Sequence, residues 1–449
     1  MNDAVSAIWP MAASRGPRIR FLCGSAALAG FLCVVLIVWL RVGTHSVIDG
    51  APNVSRWAMQ DFRDAIYYPV VALLHGVNPY DPVVYPSRYP VGQRFPLYLP
   101  STLLIHAPFA ALRFETALRC YYALSVILTV VLAWYAWRLC DETPNIARTF
   151  AVATLIALAR PGEHNLLAGQ CTLQIVLATY AAMAYAERRP LVSAAALAVA
   201  MAKPTFGIPV ACLLWAQRQS KPVVVGGLLA ALLSLPVLAM LSLSAGGWAA
   251  LVESFSASHS FMLADPMVDA VTTWSRVDAA PLFVRALGQT LSGYSEYGIT
   301  LVIVGVTALA LRRVTRCGAA SVVRQIVPGL VCLTILTCVY HQGYDLLLLV
   351  YPALLLSRSG RLDPWRQQPL LRVLLLTIGV VLAVNYLSSW SALTYFGIRQ
   401  LWRQIITSVN GAAVLVAWLV YVGLAFRAAR TAAITATEAN IGRAPLANV

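Results

Sequence analysis

Two carboxylates three residues apart open the most chemically suggestive stretch of the chain, Asp61-Phe-Arg-Asp64-Ala-Ile-Tyr67-Tyr68. At that spacing on a helix both acids share one face and can point into one cavity. One can take a proton from an attacking hydroxyl as general base, while the second raises its pKa or orients the acceptor. The plainer alternative is a solvated helix end with an Arg63–aspartate surface pair. Tyr67 and Tyr68 beside the acids favour the chemical reading. The stretch runs on into Gly76-Val-Asn78-Pro79-Tyr80-Asp81. This is a turn sequence that can shape a pocket, with the Tyr80 ring offering a stacking face.

Three further polar junctions interrupt apolar sequence. In Arg160-Pro-Gly-Glu163-His164-Asn165-Leu-Leu-Ala-Gly169-Gln170, Arg160 or His164 can hold a phosphate, and Asn165 and Gln170 can bond hydroxyls. The alternative is a polar hairpin with Gly169 allowing close packing. Lys203-Pro204 places one of only two lysines among alanines. It is either a phosphate-binding ammonium or a lysine snorkelling from a helix end. In Tyr340-His341-Gln342-Gly343-Tyr344-Asp345, His341 can bind a phosphate or move a proton. Asp345 can pair with His341 or Lys203, and the alternative there is a hydrated turn.

These junctions sit in a chain that is 59% hydrophobic and 11% charged, with mean hydropathy +0.72. Soluble domains carry about a quarter charged residues, so the class is an all-α polytopic membrane protein. Twelve candidate spans emerge, at roughly 21–41, 116–137, 147–160, 168–186, 191–203, 205–217, 222–243, 298–312, 321–340, 343–357, 369–388 and 406–427. Several are too short to cross a hydrocarbon core of about 30 Å alone, notably the pair flanking Lys203-Pro204. Broken helices of this kind are tolerated where they line a cavity inside a bundle. Phe21–Leu40 follows a basic stretch but lacks a small-x-small cleavage site, which reads as a retained first helix. The nine cysteines are scattered, form no Cys-x-x-Cys, and read as small core residues.

Charge sets the orientation. With the N-terminus in the cytoplasm and alternating connections, the cytoplasmic segments are 1–20, 138–148, 187–189, 218–221, 312–324, 358–372 and 427–449. They hold 20 of the 33 Lys and Arg and 6 of the 18 Asp and Glu, a net +14 against +1 for the rest. This positive-inside bias faces anionic lipid and calls for no nucleic-acid partner. Two large external segments result, 42–115 and 244–297. The first contains the apolar stretches Tyr68–Leu74 and Leu97–Leu112, expected as interfacial or bundle-packed helices. The tail after Arg430 is Ala/Thr-rich and is expected to be disordered. No nucleotide-binding glycine loop, His-Glu-x-x-His or Asp-x-Asp motif occurs, so neither a metal nor another cofactor is expected.

Taken together, the motif residues resemble the GT-C integral-membrane glycosyltransferases, and within them the GT87 (DUF2029) group, which includes polyprenol-phosphate-mannose-dependent mannosyltransferases. The matching pieces are Asp64…Tyr67-Tyr68, Leu73-Leu-His-Gly76, Asn78-Pro-Tyr-Asp81, Asn165-Leu-Leu-Ala-Gly169-Gln170, Ala202-Lys-Pro204 and His341-Gln-Gly-Tyr344-Asp345. The resemblance implies a GT-C-like bundle of about 11–12 transmembrane helices with interfacial helices in a large first external loop. It implies a periplasmic site, a polyprenyl-phosphate sugar donor, a lipid or glycan acceptor, and inversion with the first-loop Asp as base. Asp64 takes that role by its distance to the tyrosines, with Asp61 in reserve, and His341 serves the phosphate or the base. The extra acid at Asp61 leaves the assignment between the two open. The chain then divides into a basic N-terminus 1–20, a transmembrane domain 21–427 and a cytoplasmic tail 428–449, anchored in the inner membrane. The competing class is a transporter or flippase of a lipid-linked sugar or other amphiphile.

Overall fold

Apolar runs punctuated by Pro and Gly fold into helices throughout the computed structural model, which describes residues 17–44, 59–288, 291, 293–316, 320–358, 365 and 368–441. Most of the basic N-terminus 1–20, part of the first external segment (45–58) and the last eight residues of the tail lie outside the described residues. The elements are α1 (Pro17–Thr44), a π turn (Phe62–Tyr67), α2 (Tyr68–Leu74), α3 (Val84–Arg88), α4 (Ser101–Ala110), α5 (Phe114–Leu139), α6 (Ile146–Leu158), α7 (Arg160–Ala168), α8 (Thr172–Tyr185), α9 (Pro190–Ala200), α10 (Pro204–Ala216), α11 (Ser220–Ala245), α12 (Trp248–Leu263), α13 (Ala280–Leu287), α14 (Gly293–Arg316), α15 (Ala320–Cys338), a 3-10 turn (Gly343–Leu349), α16 (Val350–Arg358), α17 (Pro369–Val384), a second 3-10 turn (Tyr386–Ser388), α18 (Trp390–Tyr395) and α19 (Gln400–Ile441). Among the described residues there is no strand, and the protein is an all-α polytopic membrane protein.

Among the described residues, five stretches are long and apolar enough to cross a membrane unaided: Phe21–Gly43, Phe114–Leu139, Ser220–Ala245, Gly293–Arg316 and Leu401–Ala432. At about 1.5 Å rise per residue each exceeds the roughly 30 Å of hydrocarbon. The remaining apolar helices are shorter, so they reach the membrane interior as broken segments. Their breaks have local causes. Ala159 is extended, at φ −66° and ψ 141°, as the N-cap of α7, and Pro161 sits in the first turn of that helix, where its missing N–H costs nothing. Lys203 is likewise extended, and Pro204 starts α10 at the position where a missing N–H costs nothing. Neighbouring helices α8, α9 and α11 pack side by side. A Cβ at Gly226 of α11 would stand 2.9 Å from the Ala194 carbonyl of α9, so only glycine permits that approach.

Two expectations need correction. The expected span 343–357 is not one helix, because the 3-10 turn Gly343–Leu349 precedes α16. Asp345 causes the irregularity by turning back to cap Gln342, in a reciprocal box with the Gln342 side chain. The tail expected to be disordered after Arg430 is helical as far as Ile441, where α19 ends. Its Ala-rich sequence has high helix propensity.

Segment 42–115 does supply the expected packed helices, α2 and α4. Pro100 caps α4, whose Ser101, Thr102, Leu103 and His106 are buried. Segment 244–297 folds over segment 42–115: the Tyr80 and Phe255 rings lie 4.5 Å apart, and the Arg94 guanidinium sits 4.3 Å from the Phe261 ring centre. The strand-like strap 273–279 then pairs with the His341 junction. Val277 N donates to His341 O at 2.9 Å, and Gly343 N donates to Ser275 O at 3.1 Å. Arg276 anchors the strap through a buried two-pronged bond to Asp278.

Candidate active site

The two acids of the first loop do not share an α-helical face. They lie at the start of the π turn, whose i→i+5 bonding widens the coil and removes the i,i+3 alignment. Asp64 is fully buried and saturated. Its Oδ1 accepts from Arg63 Nε at 2.6 Å, and its Oδ2 accepts from Arg63 Nη2 at 3.1 Å and from the Gly92 and Gln93 N–H groups at 3.0 Å each. Asp61 is bonded more sparsely: Gln93 Nε2 donates to its Oδ1 at 2.6 Å, and the Gln170 side chain also bonds it. Gln93 therefore touches both acids, Asp64 through its backbone and Asp61 through its amide. Burial pushes the Asp61 carboxyl up to about 6, against the opposing pull of its Gln93 and Gln170 bonds and of Lys203. A carboxylate tuned toward neutral pH by desolvation is suited to proton abstraction.

The second half of the site is built on Asp345. Its Oδ1 accepts from Lys203 Nζ at 2.6 Å and from Thr172 Oγ1 at 3.0 Å, and its Oδ2 accepts from His341 Nδ1 at 2.9 Å and Gln342 N at 3.1 Å. One carboxylate thus joins the break before α10, the start of α8 and the His341 junction. With Nδ1–H given to Asp345, the tautomer of His341 is fixed and Nε2 carries the free lone pair. That Nε2 is buried with no partner, and both side-chain atoms of Asn165 are likewise buried and unpartnered. Lys203 lies 5.0 Å from the Tyr344 ring centre and 5.1 Å from that of Phe206. Asp61 is within electrostatic reach of Lys203, and both Tyr98 and Tyr344 feel Asp61 and Asp345 together. The two halves thus lie within electrostatic range of each other.

Other expected site residues have different duties. Tyr67 gives its hydroxyl to Leu112 O at 2.8 Å, and Tyr68 stacks on Phe114. Tyr80 is buried, bonds Tyr98 O at 2.6 Å and packs on Phe95, so its ring has no face free for a ligand. Asn78 holds the turn by accepting Tyr80 N at 3.0 Å. The Arg160 guanidinium is committed to Asn385 O at 3.0 Å, Ser388 O at 3.1 Å and the Ser388 hydroxyl. His164 meets the Tyr344 ring edge-on at 5.3 Å. Burial, then the nearby Arg160 charge, holds the His164 imidazole down at about 4, so it is neutral at pH 7 and lacks the charge to hold a phosphate. Among the described residues, no three His, Cys, Asp or Glu gather as metal ligands. Gln93, Thr172 and Arg63 were not among the expected residues. Thr172 directly extends the Gly169-Gln170 motif, whereas nothing around Gln93 distinguishes it from ordinary loop sequence.

Gly169 links the halves mechanically. It closes α7 with φ +72°, and a Cβ there would stand 2.7 Å from the Phe62 Cβ. Phe62 immediately follows Asp61. Gly169→Ala should therefore displace the π turn and cost about 1–3 kcal/mol. Transfer activity should fall together with thermal stability, and unchanged values for both would show that the turn tolerates a shift.

Residues 97–289 match glycosyltransferase family 87. The GT87 match runs from just before α4 to just after α13, and takes in Asn165, Gln170 and Lys203 but neither first-loop acid nor the His341 junction. It agrees with the GT87 resemblance carried by the motifs and supports a membrane glycosyltransferase. No curated protein and no solved structure matches the chain.

Proposed function

We propose that the protein transfers a sugar from a polyprenyl-phosphate donor to a lipid or glycan acceptor, at the membrane face opposite the basic segments, with Asp61 as general base. On that reading the acceptor oxygen attacks the anomeric carbon as Asp61 takes its proton. The bond from that carbon to the phosphate oxygen breaks, and polyprenyl phosphate leaves with the electron pair. One displacement inverts the centre. Lys203 faces the departing phosphate, and fixed charge aimed at a developing anion is usually the largest catalytic contribution, while the free Nε2 lone pair of His341 serves the proton being moved. Asp64 is the positioning residue that pins the 92–93 backbone and so presents the Gln93 amide to Asp61.

The observation that carries this reading is the grouping of half-buried Asp61, bonded to Gln170 and within electrostatic reach of Lys203, with the buried Lys203–Asp345–His341 network, in which Asp61 alone among the carboxylates retains bonding capacity. The charge asymmetry supports cytoplasmic termini, placement in the inner membrane and a periplasmic site. A donor whose tail stays in lipid presents its phosphate at that boundary. The test is transfer of a labelled sugar from polyprenyl-phosphate donors by the purified, bilayer-reconstituted protein. Product formed with inversion is expected, and no transfer from any such donor would favour movement of the lipid-linked sugar over its chemistry.

The base also sets a pH dependence. Asp61 must be ionised to act, so kcat/KM should fall as pH drops through about 6, its raised value. Gln93→Leu removes a bond that favours the ionised form, so the acid limb should move to higher pH. Activity at pH 7 should fall about tenfold. An activity loss with an unmoved limb would leave Gln93 a purely structural part.

A further inference from the structure

The His341 junction follows the end of α15 and lies outside helical bonding, so its buried backbone needs partners from elsewhere. Two sources supply them. Asp345 answers Gln342, accepting from its N–H at 3.1 Å and donating its own N–H to the Gln342 carbonyl at 2.9 Å. The strap answers the residues on either side. Val277 N donates to His341 O at 2.9 Å, Gly343 N donates to Ser275 O at 3.1 Å, and His341 N reaches Asp278 Oδ2 at 3.4 Å. Arg276 thereby stands opposite Gln342 in an antiparallel bridge. His341 is gripped at both ends, its imidazole by Asp345 and its main chain by the strap.

The strap belongs to no helix, and a buried charge network fixes its shape. The Arg276 guanidinium gives Nε and Nη2 to the two Asp278 oxygens at 2.8 Å each, and Nη1 to Val268 O at 2.7 Å. Nη2 also reaches Glu296, near the start of α14, at 3.2 Å. Asp278 Oδ1 accepts from Ala280 N at 3.1 Å, which sets the turn into α13. The guanidinium further lies 5.4 Å from the ring centre of Tyr340, the residue before His341. Arg276 is 4% exposed and Asp278 2%, so neither is placed to touch a substrate. Desolvation offsets most of what such a pair adds to stability. What the fork does supply is direction. A planar guanidinium held at both prongs admits one geometry, and Ser275 and Val277, which hold the junction, flank it on either side.

We propose that Arg276 and Asp278 are positioning residues for the transfer, holding the strap in the register that keeps His341 Nδ1 on Asp345 and Nε2 free. Their part in transfer rests on the transferase reading above, whereas the state of the imidazole can be read without turnover. The experiment uses the full chain in lipid nanodiscs with nitrogen-15-labelled histidine. The His341 signal, one of six histidines, is identified by its loss in His341→Gln. Arg276→Met combined with Asp278→Leu removes both charges and strands neither, so the unfolding temperature should stay near that of the parent. The His341 ring should then mix its two neutral tautomers. With it, kcat should fall at least about tenfold while KM moves less than about twofold. Arg276→Met with Asp278→Asn, which keeps an oxygen for Ala280 N, should show the same changes, so the result does not hang on one variant folding. A folded variant that keeps the parent imidazole signal would overturn the proposal, as would one that loses the signal yet keeps the parent kcat. A disturbed imidazole in a chain whose parent transfers no sugar would support the positioning and sink the transferase reading instead.

Discussion

Asp61→Asn is expected to lower kcat for sugar transfer by about 10³-fold, within the range for loss of a positioned general base. Asparagine keeps an oxygen to accept from Gln93 Nε2, which approaches at 2.6 Å in the parent, so the fold and donor binding should survive while proton abstraction stops. Asp64→Asn should fail differently. Its carboxylate answers the buried Arg63 guanidinium and two backbone N–H groups. Removing one partner of a buried ion pair typically costs about 3–5 kcal/mol, so that variant should lose folded protein first. Turnover per folded molecule, paired with thermal unfolding in the same lipid, separates the two. If Asp61→Asn turns over normally and a folded Asp64→Asn is dead, the roles are reversed.

The second large effect is expected at Lys203. Lys203→Met strands Asp345 in the bundle interior beside Thr172 and His341, and stability should fall by about 3–5 kcal/mol. Adding Asp345→Leu removes the stranded charge, and part of the lost stability should return. Transfer should not return, because His341 then lacks the acceptor that fixes its ring and tautomer. Unfolding and turnover measured on both variants read the two effects apart. Recovery of activity in the double variant would mean that the pair only holds the helices together.

The helices were legible because membrane-length apolar runs and proline breaks are local signals. The junction before α10 follows directly from Lys203-Pro204, and each of the twelve expected spans contains a described helix. The convergence of Lys203, His341 and Asp345 was partly legible too, since an isolated charge in apolar sequence must find a partner. What escaped depends on long-range geometry. The ranking of Asp64 over Asp61 rested on its distance to the tyrosines, whereas Arg63 and the 92–93 backbone decide which carboxylate keeps free oxygens. Tyr80 offered a stacking face until the ring of Phe255, from a segment far along the chain, covered it. Arg160 looked available until its partners proved to lie more than 200 residues away.

That last contact bears on how the protein matures. The guanidinium of Arg160, at the start of α7, rests on the backbone of Asn385 and Ser388, which is made only after most of the chain has been synthesised. Until then the break between α6 and α7 holds an unanswered buried cation, and Asn165 and Gln170 hang from that same break. Synthesis therefore delivers the reactive groups early and locks them late. The 160–170 junction therefore reaches its final hydrogen bonding only once residues 385–388 have joined the bundle.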